Sequence, residues 1–418
     1  IIPYKEYIKD FAKDDAKLSS NEKEELQKCK DKTKKFMDES SSVVNYLVKE
    51  FEMKKNAQLH ARSTISKTGI IDPLKLHSYK YAEDIFKKMS SIPNQKNHGM
   101  MFLLDWSGSM QRNLMPTTEQ LLNLVMFCRK INIPFSVYKF LNNSSAGYSY
   151  SERMANKMKS HPDSPFITDS KTLQPDQTTR LVQLFTHKQS KSDFKRCAEN
   201  LHRSAMYFSD YGYRGRYNDP DHINVPSITH KYYLSSTPLN EAFIAMDPMI
   251  AKFRKDYKTD KVALVTLTDG SANSISSVDG GDLMIKLNNR YKKCEYSFRG
   301  DGKDLTYHLL QNLKKKYDLQ TIGFFLVKRY QDLRYTFNVP YAKEALARKM
   351  FTRDKFIADY GTGYDVYYYV KSDTKVVNKV YDDTATVKKS QLKRMFMSGM
   401  KKRLESRVLL QNFIKRVA

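Results

Sequence analysis

The stretch "MMFLLDWSGSM", residues 100–110, carries an apolar run directly into an aspartate, two serines and a glycine. Apolar runs of this kind are typical of a strand that is buried on both faces of a parallel sheet. Asp105, Ser107 and Ser109 are then expected at the carboxyl end of the strand, where doubly wound sheets bind their ligands. Aspartate and serine are also favoured helix caps, so this stretch alone leaves both interpretations open.

The overall composition indicates a folded protein. The chain has 418 residues, of which 40% are hydrophobic and 12% aromatic, enough for about two to three domains with a real core. No apolar run reaches the roughly 20 residues that a membrane span needs. Four cysteines lie far apart without a CxxC pair. This spacing disfavours a zinc knuckle or a disulfide framework, so we expect a reducing, cytoplasmic setting.

The N-terminal region, residues 1–64, is expected to be helical, and residues 65–95 to form an extended connector. Ser19 and Glu22 have the spacing of a capping box, which predicts a helix over residues 21–37. Apolar residues at four-residue steps predict a second helix over residues 41–61.

From about residue 96 the pattern changes to apolar strands that alternate with amphipathic helices. Strands are predicted at 100–105, 135–140, 261–269, 319–327 and 364–370, and helices at 117–131, 238–253 and 304–317. This alternation predicts an α/β fold with a doubly wound, mostly parallel sheet. Residues 141–230 are polar and rich in aromatic residues, and they are interpreted as a long insertion.

Two distant features add oxygen ligands to the first stretch. Thr237 comes directly before a predicted helix, and Asp269 ends a predicted strand and is followed by Gly270, which permits a sharp turn. If the strands at 100–105 and 261–269 are neighbours, all these oxygens meet at one edge of the sheet. Hydroxyl oxygens suit a small hard cation, Mg²⁺ or Mn²⁺.

The order of these parts resembles a von Willebrand factor A (VWA) domain with a metal-ion-dependent adhesion site (MIDAS). That family combines Asp-x-Ser-x-Ser with a distant threonine and a distant Asp-Gly, and the resemblance covers residues 96–375. It implies a Mg²⁺ or Mn²⁺ ion that captures an acidic side chain of a client protein, with the two aspartates acting mainly through bound water. It implies no catalytic residue of the chain's own. The implied metal ligands are Asp105, Ser107, Ser109, Thr237 and Asp269.

Trp106, the only tryptophan, lies inside this motif. It is predicted either to bind a partner, as interface tryptophans often do, or to shield the edge of the sheet.

Four further stretches resemble the branch of the family that contains the cobaltochelatase subunit CobT, and this similarity covers about 65–375. They are "GIIDPLKLHSYKYAEDIFKKM" (69–89), "RLVQLFTHKQSKSDFKRCAENLH" (180–202), "STPLNEAFIAM" (236–246) and "LQTIGFFLV" (319–327). The resemblance implies an adaptor that works with a ring-forming AAA+ ATPase of the CobS/MoxR type, and such proteins also occur in tailed phages. The acidic region that precedes the domain in that branch is missing here, so cobalt insertion is only a subsidiary hypothesis.

The chain carries a net charge of +26. This charge either indicates an anionic partner or is spread over solvated faces. Residues 385–418 are predicted to form a basic amphipathic helix, since Lys388–Arg416 contains ten basic residues and the single acid Glu405. Alternative functions are therefore a nucleic-acid-binding VWA protein and a structural or adhesion module of a virion. The residues proposed to contact an anionic partner are Lys393, Arg394, Lys401, Lys402 and Arg403.

Overall fold

The computed structural model describes most of the chain from residue 1 to residue 371. The described residues are 1–62, 64–71, 86–91, 97–142, 179–211, 223–270, 272–273, 283–288, 293–298, 302–327, 329–333 and 341–371. Within these ranges, none of the helices combines the length and the apolar character that crossing a membrane requires. The predicted basic helix at 385–418 and its five anion-contact candidates lie outside the described residues.

A seven-stranded sheet forms the centre of the fold. Its strand order is β10-β11-β9-β6-β3-β4-β5. The two outermost pairs are antiparallel, and the four inner pairs are parallel. The predicted α/β fold with a doubly wound, mostly parallel sheet is therefore confirmed. The strands are β3 His98–Asp105, β4 Phe135–Asn142, β5 Thr179–Thr186, β6 Lys261–Leu267, β9 Gln320–Val327, β10 Phe356–Asp359 and β11 Val366–Lys371.

Strand order reverses at β3. From β3 the chain moves outward through β4 to β5, and it then returns to place β6 on the other side of β3 and continues outward to β9 and β11. A crevice forms where connections leave a sheet in opposite directions, and it lies outside the carboxyl ends of the two strands concerned. Those two strands are β3 and β6, which end beside Asp105 and Asp269.

Seven helices are found in the described residues. They are α1 Tyr4–Asp15, α2 Ser20–Arg62, α3 Leu114–Lys130, α4 Lys191–Tyr211, α5 Leu239–Tyr257, α6 Gly302–Tyr317 and α7 Tyr341–Arg353. Helix α4 packs against α1, α2 and α3, while α5 packs against α6. The inner strands are buried at almost every position, as expected for a parallel sheet that is covered on both faces.

The N-terminal region is joined to the sheet at its β5 edge. The backbone N–H of Ile2 donates to the carbonyl of Leu181 at 2.7 Å, and Gln183 donates back to Ile2 at 2.8 Å. Ile2 therefore extends the sheet by one parallel bridge beside β5, which satisfies part of an exposed edge.

Helix α2 is one continuous helix of 43 residues, where the sequence predicted two. The capping box is confirmed, because the N–H of Ser19 donates to Glu22 Oε2 at 2.9 Å and the N–H of Glu22 donates to Ser19 Oγ at 3.4 Å. Within the helix, the Thr33 hydroxyl donates to the carbonyl of Cys29 at 2.9 Å, and the Ser42 hydroxyl donates to the carbonyl of Glu39 at 2.9 Å. Serine and threonine hydroxyls that bond back to a preceding carbonyl are compatible with a continuing helix.

The interpretation of residues 141–230 as one insertion is too broad. Residues 179–186 form strand β5 of the central sheet, and residues 191–211 form α4, which packs against three other helices. Polar residues in β5 obscured its pattern, since this strand lies at an edge where one side is partly exposed. Residues 143–178 lie outside the described residues.

Two antiparallel strand pairs stand apart from the central sheet. In the predicted connector, β1 (Thr64–Ile71) pairs with β2 (Phe86–Ser91). After the metal-site motif, β7 (Leu283–Asn288) pairs with β8 (Lys293–Phe298), and the sequence analysis did not predict this pair.

Candidate functional site

The candidate site begins where β3 ends. Asp105 is the last residue of this strand and is completely buried. Ser107 follows in an extended conformation and is also buried, whereas Gly108 and Ser109 are exposed at the start of a short 3₁₀ helix. The two serine hydroxyls lie 3.0 Å apart. The Asp105 carboxylate therefore lies below the surface at this end of the strand, and Gly108 and Ser109 form the side of the site that faces solvent.

A backbone contact brings the Thr237 segment to the same edge. Ser107 and Ser235 form a parallel bridge, and the N–H of Gly108 donates to the carbonyl of Ser235 at 2.8 Å. Thr237 comes two residues later and is buried, directly before α5. Pro238 stands at the helix entrance, so the chain turns into α5 immediately after the threonine.

The loop after β6 supplies the third part of the site. Thr268 donates its hydroxyl proton to Asp105 Oδ2 at 2.6 Å, and the N–H of Gly270 donates to the Thr268 hydroxyl at 3.1 Å. Gly270 has a φ of +83°, a conformation that favours glycine. Further along, the N–H of Asn273 donates to the carbonyl of Thr237 at 3.0 Å. Asp269 therefore lies on a loop that is bonded to both other segments.

The Asp105 carboxylate is unusual for a buried acid. Burial and the neighbouring Asp269 carboxylate raise the pKa of Asp105 above its usual value, while the hydroxyl of Thr268 and the hydroxyl and N–H of Ser107 oppose this rise. Its second oxygen, Oδ1, is buried and makes no hydrogen bond with the described residues. A buried carboxylate oxygen without a partner is costly, and a cation that sits between the acids would remove this cost.

The donor set fits a hard divalent cation. The carboxylates of Asp105 and Asp269 interact, Ser107 and Ser109 bring neutral hydroxyls to the same edge, and Thr237 lies two residues after the Ser107–Ser235 bridge. Oxygen donors of these types are those that Mg²⁺ and Mn²⁺ prefer. Elsewhere in the described ranges, no group of three or more histidine, cysteine, aspartate or glutamate side chains is placed to hold a metal.

Trp106 is not placed as a partner-binding residue. Its side chain is completely buried, and its ring N–H donates to the carbonyl of Tyr232 at 2.9 Å. The prediction of a partner contact is therefore wrong for this structure, and the alternative, packing at the edge of the sheet, describes its environment. Asp105 before it and Ser107 after it are also buried, and the chain reaches the surface at Gly108.

Trp106 packs on a buried lysine that the sequence analysis did not single out. The ammonium nitrogen of Lys139, on β4, lies 4.4 Å from the centre of the Trp106 ring and 4.8 Å from the rings of Tyr7 and Tyr232. It makes no hydrogen bond with the described residues. Burial lowers the pKa of Lys139 to about 7. The three rings form an aromatic cage that joins α1 to the edge of the sheet where β3 ends at Asp105, called the metal-site edge below.

Sequence reasoning also missed residues that shape the site without being ligands. Thr268 holds Asp105 in place, and the Tyr367 hydroxyl donates to the carbonyl of Thr268 at 2.6 Å. Burial raises the pKa of Tyr367 well above its usual value, so this hydroxyl keeps its proton. Thr268 is adjacent to Asp269 in sequence, which is a usable signal, but Tyr367 is almost a hundred residues away and gives none.

Comparisons with known proteins add no relative. No family model matches the chain, and a search of curated proteins finds none that is similar in sequence.

Proposed function

We propose that this protein is a metal-dependent, protein-binding adaptor of the VWA type. Its site would hold one Mg²⁺ or Mn²⁺ ion through Asp105, Ser107, Ser109, Thr237 and Asp269. When bound, the ion would supply a Lewis-acidic position for a carboxylate oxygen of a client protein.

One observation carries the proposal. Asp105 Oδ1 is buried without a hydrogen bond at the point where three segments of the chain converge with their oxygens. Structures rarely leave a buried carboxylate oxygen unsatisfied, and such oxygens call for an explanation such as a missing ion. A simple helix-capping role for Asp105 leaves this oxygen unexplained, because the N-cap of the following 3₁₀ helix is Ser107 and Asp105 accepts instead from the Thr268 hydroxyl.

The residues of the site divide into two roles under this proposal. Thr268 and the Ser107–Ser235 bridge position the ligands, and they do so with backbone and hydroxyl contacts that need no ion. The exposed Ser109 and Gly108 leave the outer side of the site open to a partner. The chain itself is proposed to be non-catalytic, with a role in recognition.

The proposed partners are an acidic client protein and an AAA+ ATPase of the CobS/MoxR type. The support for the ATPase is the resemblance of residues 69–89 and 236–246 to the CobT-like branch. Participation in a cobaltochelatase-like complex is the narrower form of this proposal, and a phage-borne remodelling adaptor is the alternative form.

Mn²⁺ binding tests the metal site directly. Titration of the purified protein with Mn²⁺, followed by electron paramagnetic resonance of the free ion, is expected to give one site. Asp105→Ala and Thr237→Ala are each expected to weaken binding by about a hundredfold or more, since each removes an oxygen from the set. Ser42→Ala, which removes an exposed hydroxyl of α2, is the matched control and should bind like the unmodified protein.

Capture of a client tests the adaptor role. A CobS/MoxR-type ATPase or its client is expected to bind the immobilised protein in Mg²⁺ and to be released by EDTA. Asp105→Ala should lose the interaction with its circular dichroism spectrum unchanged. Equal capture by this variant and by the unmodified protein would refute the metal-dependent mechanism.

A further inference from the structure

A groove lies between α2, α3 and α4, away from the metal-site edge. Its volume is about 680 Å³, and it is open to solvent. Eleven residues of these three helices line it, among them Met37, Met126 and Phe194. The groove exists only because the N-terminal helix α2 packs against the two helices of the α/β domain.

The floor of the groove is apolar and adaptable. Met37, Met126 and Phe194, which come from three different helices, are the hydrophobic residues that line the groove. Phe194 is nearly buried, while the two methionines are partly exposed. Unbranched methionine side chains adjust to the shape of an apolar partner, and they are common at surfaces that receive helices.

The rim of the groove is positively charged. Five basic residues and two acidic residues line it, giving a net charge of +3. Lys195 lies 3.8 Å from Glu199, and Lys130 bonds to side chains of α2. Arg129 packs over the ring of Phe194 at 4.6 Å.

Lys34 on α2 and Lys191 on α4 both line the groove, and both are exposed. Neither forms an ion pair with another of the described residues. An apolar floor between two exposed ammonium groups matches a helix with an apolar stripe and acidic flanks.

We propose that this groove binds an acidic amphipathic helix of a partner protein. The apolar stripe would lie on Met37 and Met126, and acidic side chains would face Lys34 and Lys191. The chain's own C-terminal segment has an apolar repeat but carries ten basic residues and one acid between Lys388 and Arg416, so the rim repels it. Nucleic acid fits the groove less well than an acidic helix, because it supplies the negative charge without an apolar stripe.

The groove is separate from the metal site. The metal-site loop precedes the first residue of α3, Leu114, whereas the groove contacts the last turn of this helix, from Met126 to Lys130. At 1.5 Å per residue, the two features are about 18 Å apart along the helix. The inference thus goes beyond the proposed function and adds a second, metal-independent contact to it.

A designed peptide tests the proposal on the full chain. The probe is a fluorescein-labelled amphipathic helix of about 16 residues with leucines along one face and glutamates on both flanks. A matched peptide carries lysine in place of every glutamate. We expect the acidic peptide to raise the fluorescence anisotropy with a micromolar dissociation constant, and the basic peptide to bind at least about tenfold more weakly.

Charge reversal in the groove identifies where the peptide binds. Lys34→Glu combined with Lys191→Glu is expected to weaken binding by about tenfold or more. The control is Lys32→Glu, because Lys32 is exposed on the same helix two residues away, which turns it to the opposite face. Thermal unfolding of each variant checks that the fold is kept.

Three results would overturn the proposal. One is equal binding of the acidic and the basic peptide, and another is equal binding of the acidic peptide by the Lys34→Glu/Lys191→Glu variant and by Lys32→Glu. The third is a groove that binds the fatty acid myristate but neither peptide. EDTA and Asp105→Ala are expected to leave peptide binding unchanged. Loss of peptide binding in EDTA or in Asp105→Ala would place the peptide at the metal site instead. If the unmodified protein bound the acidic peptide but no Mn²⁺, only the proposed function would be refuted.

Discussion

Two buried ionisable side chains lie near the metal-site edge of the sheet, and their surroundings differ completely. Asp105 on β3 is surrounded by oxygens, with the Asp269 carboxylate nearby and one of its own oxygens without a hydrogen bond. Lys139 on β4 is surrounded by three aromatic rings whose faces meet its ammonium group. Both are fully buried. Burial raises the pKa of Asp105 and lowers that of Lys139, so it favours the neutral form of each side chain.

The difference separates a binding group from a structural one. The negative faces of three rings already provide Lys139 with a favourable electrostatic environment, each contact contributing about 0.5 to 2 kcal/mol when a cation is present. For Asp105, the hydrogen bonds from Thr268 and Ser107 favour the carboxylate but do not outweigh burial and the neighbouring Asp269 carboxylate, which raise its pKa. Under the proposed function a cation would complete the surroundings of Asp105, whereas three aromatic rings already surround the ammonium group of Lys139.

Removal of the caged lysine is expected to have the largest effect on stability. Lys139→Ala leaves a cavity among the three rings and removes the cation–π contacts, so the free energy of unfolding should fall by about 3 kcal/mol. Lys139→Met fills the same space without a charge and should cost less than about 1.5 kcal/mol. Urea denaturation measures both. A methionine variant as unstable as the alanine variant would show that the charge, and not the filled volume, holds the cage together.

The metal-site acid should affect stability only when metal is present. At about a hundred times its dissociation constant, Mn²⁺ should raise the free energy of unfolding of the unmodified protein by about 2.7 kcal/mol. Asp105→Asn should lose this stabilisation. In EDTA its stability should stay within about 1 kcal/mol of the original, because the amide oxygen can still accept from Thr268. Thermal unfolding with and without Mn²⁺ provides the measurement, and equal Mn²⁺ stabilisation of both proteins would contradict the assignment.

Trp106 should behave as a structural residue. Trp106→Phe keeps an aromatic face near Lys139 but loses the hydrogen bond to the Tyr232 carbonyl, so we expect the free energy of unfolding to fall by about 1 to 2 kcal/mol. Mn²⁺ affinity should change less than about threefold. A variant that loses partner binding at unchanged stability would restore the interpretation of Trp106 as a partner-binding residue.

The last expected effect is gradual, because the pH dependence of stability that Lys139 introduces is at most about 1.4 kcal/mol per pH unit. Burial lowers the pKa of Lys139 from 10.5 to about 7, so between these values the unfolded chain binds a proton that the folded chain does not. The free energy of unfolding therefore rises with pH in this window through Lys139. Burial raises the pKa of Tyr7 and Tyr232, and that of Cys197 to about 12, so these neighbours stay neutral there.

Lys139→Met isolates this contribution. Its stability relative to the unmodified protein should decrease steadily as the pH rises from about 7 to 10, as measured by urea denaturation at each pH. If the two stability curves ran parallel, Lys139 would have the same pKa in the folded and unfolded states. That result would contradict a lowered pKa in the folded protein.

Much of the sheet could be predicted from the sequence because its inner strands are apolar at consecutive positions. Strands β3, β4, β6, β9 and β11 all fall where apolar runs predicted them. The edge strand β5 was missed, because a strand with one partly exposed side mixes polar residues into its pattern. The continuous helix α2 was divided in two because its serine-rich middle is typical of helix ends, whereas Thr33 and Ser42 bond back to their own helix.

The five proposed metal ligands were named from the resemblance of their order to the MIDAS pattern, with support from two predicted strand ends and one predicted helix start. The residues that position them could not be named in this way. Thr268 is recognised only by its bond to Asp105, and Ser235 only by its bridge to Ser107. Lys139 is an ordinary lysine in the sequence, and its cage combines rings from residues 7, 106 and 232.

The sequence alone determined the alternation of strands and helices and the oxygen-rich ends of two strands, since hydrophobic periodicity and turn chemistry are local properties of the chain. The tertiary structure decided that β6 lies beside β3, so that Asp269 comes next to Asp105, and that Trp106 faces inward onto Lys139. Strand order and burial depend on how distant segments pack together, and no single segment carries that information.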